Sequence, residues 1–168
     1  LRVINNGDNF EHKMRRVLKE IGAVLELPQT IDEERKYIVE LVGDMPESIE
    51  AQIVQTYLVA DPGCEVRLRK SVVEGKATHT HTTRRRVSER EEIVTERTVN
   101  GNLYESLLQQ ADPYRLTVEK VRRSFIWKGQ FFELDTYTRP ISITILETKG
   151  IASHDELRLP PFLRIVED

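Results

Sequence analysis

The apolar positions of this chain change period once. Phe10, Met14, Val17, Leu18, Ile21, Val24 and Leu25 recur every three or four residues, which predicts an amphipathic helix over 10–26. The turn cluster Asn5-Asn6-Gly7-Asp8-Asn9 can cap it, Lys13, Arg15, Arg16 and Lys19 line its other face, and Pro28 stops it. From residue 31 the period becomes two. Strands are predicted over 31–42, 52–59, 64–73, 77–87, 89–99, 115–127, 131–138 and 141–149. Asp61-Pro62-Gly63, Glu74-Gly75-Lys76 and Lys128-Gly129-Gln130 read as turns between them. Asn100-Gly101-Asn102 opens a short helix with an apolar stripe of Leu103, Leu107, Leu108 and Ala111, and Asp112-Pro113 closes it. After Pro160-Pro161, the apolar end Phe162, Leu163, Ile165 and Val166 predicts a surface segment, irregular or briefly helical.

Eight strands joined mostly by short turns predict a mainly β (α+β) fold. The expected architecture is an eight-stranded antiparallel β-barrel with flanking helices, because closure removes exposed strand edges. The expected division is a helix and strand remnant over 1–27, the barrel over 31–150 and a C-terminal tail packed on it over 151–168. The 168 residues suit one ordinary domain, and the net charge of −3 gives no global basic signal for nucleic acid or a membrane surface. The single cysteine, Cys64, cannot form an internal disulfide, which points to a reducing, cytoplasmic setting or the cytoplasmic periphery of a membrane. No apolar run reaches the length of a membrane span.

The placement of the charges changes the picture. Side chains on a strand alternate faces. Asp32, Glu34 and Lys36 share a face of the first predicted strand, Arg67 and Arg69 of the third, Arg84 and Arg86 of the fourth, and Arg90 and Glu92 of the fifth. Lys120 and Arg122 follow on the sixth, Glu133 and Asp135 on the seventh opposite Phe132 and Leu134, and Glu147 and Lys149 on the eighth opposite Leu146. Basic residues outnumber acidic ones at these positions, although the chain as a whole is negative. Adjacent guanidiniums repel unless an anion lies over them, and their planar fork suits phosphate. One reading is a curved sheet with an apolar face and a wet polar face. The sharper reading turns the polar face inward to line a water-filled tunnel. Unpaired ions there cost several kcal/mol each. They are tolerated where they pair, stay hydrated, or meet a polyanion with its metal ions. In that case carboxylates would hold Mg²⁺ or Mn²⁺, and Arg and Lys would hold phosphate oxygens.

Asp32-Glu33-Glu34-Arg35-Lys36 resembles the acidic E-x-E-x-K opening of the CYTH superfamily, the triphosphate tunnel metalloenzymes. Arg67-x-Arg69, Arg84, Arg90-x-Glu92, Lys120-x-Arg122, Glu133-x-Asp135 and Glu147 follow in that superfamily's order over roughly residues 31–149. No single motif is specific; the ordered set is. More narrowly, the chain resembles the C-terminal half of two-domain proteins of the TRPL-translocation-defect type, in which a P-loop, nucleotide-kinase-like domain comes first. Residues 1–27 resemble the last strand and helix of that domain, so the chain, which starts at Leu1, is expected to be part of a longer protein.

The resemblance implies an eight-stranded tunnel that takes triphosphate-bearing ligands with a divalent metal. The superfamily includes inorganic, thiamine and RNA triphosphatases and class IV adenylyl cyclases. Glu34, Glu133, Asp135 and Glu147 would be its catalytic, metal-side carboxylates, with Asp32 as a further metal-side acid. Lys36, Arg67, Arg69, Arg84, Lys120 and Arg122 would be phosphate-side cations, to which the alternation adds Arg86, Arg90 and Lys149. Three positions depart from the pattern: Asp32 is one methylene short of Glu, Arg84 stands where Lys is usual, and the final E-x-E reads Glu147-x-Lys149. The last change removes a metal carboxylate and adds a cation, so metal affinity should fall and anion affinity rise.

Three readings follow. The first is a receptor for a nucleoside triphosphate such as GTP or ATP, another multiply phosphorylated ligand, or a phosphorylated lipid headgroup, serving a larger nucleotide-dependent protein. The second is a metal-dependent triphosphatase. The third is a ligand-free barrel for protein contacts. Smaller signals are weak. His79-x-His81 can hold a metal but lacks a third ligand, and Arg84-Arg85-Arg86 lacks the interleaved aromatics of a nucleic-acid site, which disfavours a nucleic-acid partner.

Overall fold

A computed structural model describes residues 29–30, 34–88, 92–149 and 159–167. Its ten strands are β1 Gln29–Thr30, β2 Glu34–Leu41, β3 Ile49–Leu58, β4 Cys64–Val73, β5 Lys76–Arg86, β6 Glu92–Val99, β7 Val118–Trp127, β8 Gln130–Arg139, β9 Ile143–Lys149 and β10 Leu163–Glu167. Among the described residues one helix, α1 Gly101–Leu108, stands between β6 and β7. The predicted helix over 10–26, and with it the whole of 1–28, lies outside the described residues.

Turn chemistry sets the hairpins. Glu74-Gly75 and Lys128-Gly129 both have positive φ at two successive residues (49° and 75°, 48° and 80°), the geometry that matches the right-handed twist of paired strands. Asn100 caps α1, its Oδ1 accepting from the Leu103 amide at 2.9 Å. The stripe of α1 is rotated by one residue from the expected one. Tyr104 is buried against Leu58 and Leu68, with Leu107 and Leu108 beside it, while Leu103 stays exposed. The predicted irregular tail is instead β10. Pro160-Pro161 cannot enter a ladder, but Leu163 and Ile165 alternate with Arg164, and β10 pairs antiparallel with β2, setting Leu163 opposite Leu41.

The strands form one antiparallel sheet in the order β1-β6-β5-β4-β3-β7-β8-β9-β2-β10. Its apolar face carries the main core of Tyr37, Val39, Phe125, Phe132, Leu134, Leu146, Phe162 and Leu163. The Phe125 and Phe132 rings stack at 5.5 Å. Helix α1 packs on the same face through Leu58 and Leu68. Burying each such side chain contributes roughly 1.5–3 kcal/mol.

Where a closed barrel is expected, the hydrogen-bond ladder among the described residues is open. It is nevertheless strongly curled, for two reasons. Thr30 pairs with Ile93 on β6 and Glu34 pairs with Lys149 on β9, so one short stretch of chain serves both flanks of the sheet. Four residues reach at most about 14 Å. In addition, Gln55, Thr82, Lys120, Asp135 and Glu147 are buried although they lie on the face away from α1 and the aromatic core. A flat sheet would leave that face in water.

Candidate functional site

Two charge clusters sit on this concave polar face. The first is cationic. In the ladder, Arg67 on β4 lies between Tyr57 on β3 and Thr82 on β5, Arg69 lies between Gln55 and Thr80, and Arg84 on β5 pairs with Glu65. The Nε atoms of Arg67, Arg69 and Arg84 are buried without a hydrogen-bond partner, as is Thr80 Oγ1. Arg69 Nη2 donates to Gln55 Oε1 at 3.2 Å, and Gln55 Nε2 donates to the Tyr57 hydroxyl at 2.9 Å. Thr82 donates to Glu96 Oε2 at 3.0 Å. Burial, and then the neighbouring charges of Arg69 and Arg84, bring the Arg67 pKa down to about 10; Glu96 and Glu65 oppose this only in part. At the edge of the cluster the Arg115 guanidinium lies 3.4 Å from the centre of the Tyr57 ring and donates to Glu65 Oε2 at 2.9 Å.

The second cluster is charge-balanced and centres on Arg122 of β7. Arg122 Nε donates to Asp135 Oδ1 at 2.6 Å, Nη1 to Glu133 Oε2 at 2.6 Å, and Nη2 to Asp135 Oδ2 at 2.6 Å and Glu147 Oε2 at 2.8 Å. Lys120 donates to Asp135 Oδ2 and, at 3.3 Å, to the Tyr137 hydroxyl. Lys36 reaches Glu147 Oε1 at 3.3 Å while remaining half in water. Burial alone would lower the Arg122 pKa, but the hydrogen bond to Asp135 and the charges of Glu133, Asp135 and Glu147 outweigh it and raise it. Lys120 is pushed below its ordinary value by burial and by Arg122, against the pull of Asp135 and Glu147. Tyr137 is pushed up to about 12 by burial and by the charges of Asp135 and Glu147.

The candidate residues therefore separate. Arg67, Arg69 and Arg84 gather in the cationic cluster, whereas Lys36, Lys120, Arg122, Glu133, Asp135 and Glu147 bond to one another. Arg86 is mostly exposed and lies 3.7 Å from Glu92 Oε1, and Arg84 approaches the other oxygen, Oε2, at 3.9 Å. Asp32 and Arg90 lie outside the described residues. Glu34 and Lys149 are described as backbone only, as direct partners in the β2–β9 ladder. His79 and His81 face away from both clusters. The His79 ring packs on Tyr104 at 4.5 Å, and burial and Arg97 lower the pKa of His81.

The carboxylates are the right donors for Mg²⁺ or Mn²⁺, but as arranged they do not fit one. Among the described residues, no three His, Cys, Asp or Glu side chains are set to hold a metal ion, and Glu133, Asp135 and Glu147 all accept hydrogen bonds from Arg122 instead. Gln55, Tyr57, Thr80 and Thr82 belong to the site although they carry no charge. The alternation of Gln55 and Tyr57 with Val54 and Thr56 was the available signal. Arg115, on the α1–β7 connection, has no pattern to mark it.

No family model matches the sequence, and no curated protein matches it significantly. Solved structures do. Two structures of NE1496, described in one as a hypothetical protein and in the other as an inorganic triphosphatase, are similar to this chain at 26% and 28% identity. They match with TM-scores of 0.56 and 0.53, over 80% and 79% of this chain and 88% and 86% of theirs. PH1819 from Pyrococcus horikoshii OT3 shares the fold at 18% identity and a TM-score of 0.54, over 75% of this chain and 81% of its own.

Proposed function

We propose that this chain binds a linear polyphosphate, as inorganic triphosphate or as the triphosphate of a nucleotide, on the concave face between Arg67, Arg69 and Arg84. One observation carries the reading: three neighbouring guanidiniums bury Nε donors that no group among the described residues accepts. A buried donor without an acceptor costs about 1–3 kcal/mol. An anion with many oxygens removes that penalty and the mutual repulsion together. Arg67 and Arg69 stand two residues apart on one strand, roughly 7 Å, a span that suits a chain of phosphates better than a single one. The likeness to a protein described as an inorganic triphosphatase supports the same ligand class and the resemblance to the triphosphate tunnel superfamily. The tunnel itself is part of the proposal: β1 on the β6 flank and β2 on the β9 flank together close the sheet around the polar face.

Hydrolysis is the second reading, favoured by the named activity of NE1496. Both are tested by calorimetric titration of the purified chain with tripolyphosphate, GTP, ATP and a soluble phosphoinositide headgroup, beside phosphate release measured with Mg²⁺, Mn²⁺ or chelator. Tripolyphosphate and nucleotide are expected to bind. Arg67→Ala with Arg69→Ala should weaken that binding roughly hundredfold or more, since a hydrogen bond to a charged group is worth about 1.5–3 kcal/mol. Unchanged affinity in the double variant would remove the site from this face. Binding of the headgroup alone would move the ligand to a lipid.

A further inference from the structure

The cluster around Arg122 matches three cations to three carboxylates. Lys36, Lys120 and Arg122 face Glu133, Asp135 and Glu147. Both oxygens of Asp135 are taken, Oδ1 by Arg122 and Oδ2 by Arg122 and Lys120. Both oxygens of Glu147 are taken as well, Oε1 by Lys36 and Oε2 by Arg122. The cluster is dry at its centre and wet at its edge: Asp135 is fully buried, Glu147 is 6% exposed and Lys120 7%, while Lys36 stays half in water. A hard divalent ion needs several oxygens turned toward itself. Here each of the three carboxylates already gives an oxygen to one guanidinium, and the fork geometry of arginine satisfies them together. A divalent ion added to this set would leave an excess of positive charge beside a displaced, buried Arg122.

A second observation points the same way. The remaining candidate carboxylate on β2, Glu34, has a basic residue, Lys149, rather than a further acid as its direct partner in the ladder.

We infer that Arg122 holds the place a divalent ion would need among these carboxylates, so that polyphosphate binding to this chain does not require a metal. The inference rests on the binding reading above. Arg122 then acts as a fixed positioning residue. It keeps the acidic side of the concave face neutral, and the ligand meets the uncompensated donors of Arg67, Arg69 and Arg84 without an ion between. This is an arrangement for holding a polyphosphate rather than for polarising it.

The experiment uses the full chain in two titrations. Tripolyphosphate is titrated in chelator and again with Mg²⁺ or Mn²⁺, and Mn²⁺ alone is titrated while free Mn²⁺ is followed by electron paramagnetic resonance. Affinity no weaker in chelator than with metal, and no uptake of Mn²⁺ by the ligand-free chain, are the expected results. Binding that appears only with Mg²⁺ or Mn²⁺ overturns the inference and leaves the binding reading standing. Absence of binding in every condition overturns the binding reading itself. Arg122→Gln frees the carboxylates and should bring measurable Mn²⁺ uptake where the parent shows none. Because that change leaves buried carboxylates unpaired and can unfold the chain, Arg122→Lys is the companion variant: one ammonium cannot serve three carboxylates. A folded Arg122→Lys protein that takes up no Mn²⁺ overturns the role given to Arg122.

Discussion

At the scale of single residues, the two clusters put stability and binding on opposite sides. Arg67 is held at about 10, well under an ordinary arginine, first by burial and then by Arg69 and Arg84. A base whose folded pKa lies below its unfolded value destabilises the fold wherever it is charged in both states, here by about 3 kcal/mol before screening by water. Arg67→Met should therefore raise the unfolding free energy of the ligand-free protein, read from urea titration, by roughly 1–3 kcal/mol, while weakening tripolyphosphate binding about ten- to hundredfold. A variant that loses both stability and affinity would mean that Arg67 is a structural pair rather than a binding group. Asp135 behaves in the opposite sense. Burial pushes its carboxyl up, but the hydrogen bond and charge of Arg122, with Lys120, more than offset this, and the group titrates below its ordinary 3.8. Its contribution to stability is fully present above that value and is lost as the pH falls through the lower, folded pKa. Urea midpoints should hold from neutrality to about pH 5 and then drop. Asp135→Asn should remove this part of the acid slope and cost about 3–5 kcal/mol at pH 7, because the cations around it lose their partner.

Among the elements, the hairpins make the cleanest test, since Gly75 and Gly129 have positive φ and nothing within 4 Å of where a Cβ would stand. Their requirement is conformational rather than steric. Alanine at either should cost about 1–2 kcal/mol, and Lys128→Asn should gain part of that, because asparagine tolerates the φ of 48° that lysine holds there. Thermal melts with tripolyphosphate titrations check both; affinity should not move. These same signals made most of the fold legible. Val66 and Leu68 alternating with Arg67 and Arg69, closed by Glu74-Gly75, set β4 at its observed ends. Asn100 announced α1. The strand β10 was hidden because Pro160-Pro161 masked a three-residue alternation, and its partner β2 lies more than a hundred residues earlier. The stripe of α1 reads as aliphatic in the sequence, whereas a tyrosine, Tyr104, anchors it. The site was legible where charge repeats along one strand and illegible where it depends on curl. Arg122 meets residues 11, 13 and 25 positions away, and no spacing within one strand tells a guanidinium bound to carboxylates from one left for a ligand.

For the molecule as a whole, the curl of the sheet decides what salt can do. The chain carries −3, so long-range attraction does not bring a polyanion to it. Exposed cations such as Arg85 and Arg86 sit in water, where charges farther apart than about 8 Å are screened at physiological ionic strength. The donors of Arg67, Arg69 and Arg84 are buried within the curl and escape most of that screening. Ligand that binds only the folded state stabilises it by about 2.7 kcal/mol at a hundred times its Kd, and this gain should be carried by the concave face alone. Tripolyphosphate is expected to raise the melting temperature at low salt and, at a concentration scaled to the measured Kd, still to raise it in about 0.5 M KCl, where the Debye length has shrunk to only a few ångströms. Arg85→Ala with Arg86→Ala should leave the shift intact, and Arg67→Met should start from a higher baseline and lose it. A shift that vanishes in salt, and vanishes equally in the Arg85 and Arg86 double variant, would place the anion on the exposed rim. The curl of the sheet would then shelter a network of ion pairs with no bearing on binding.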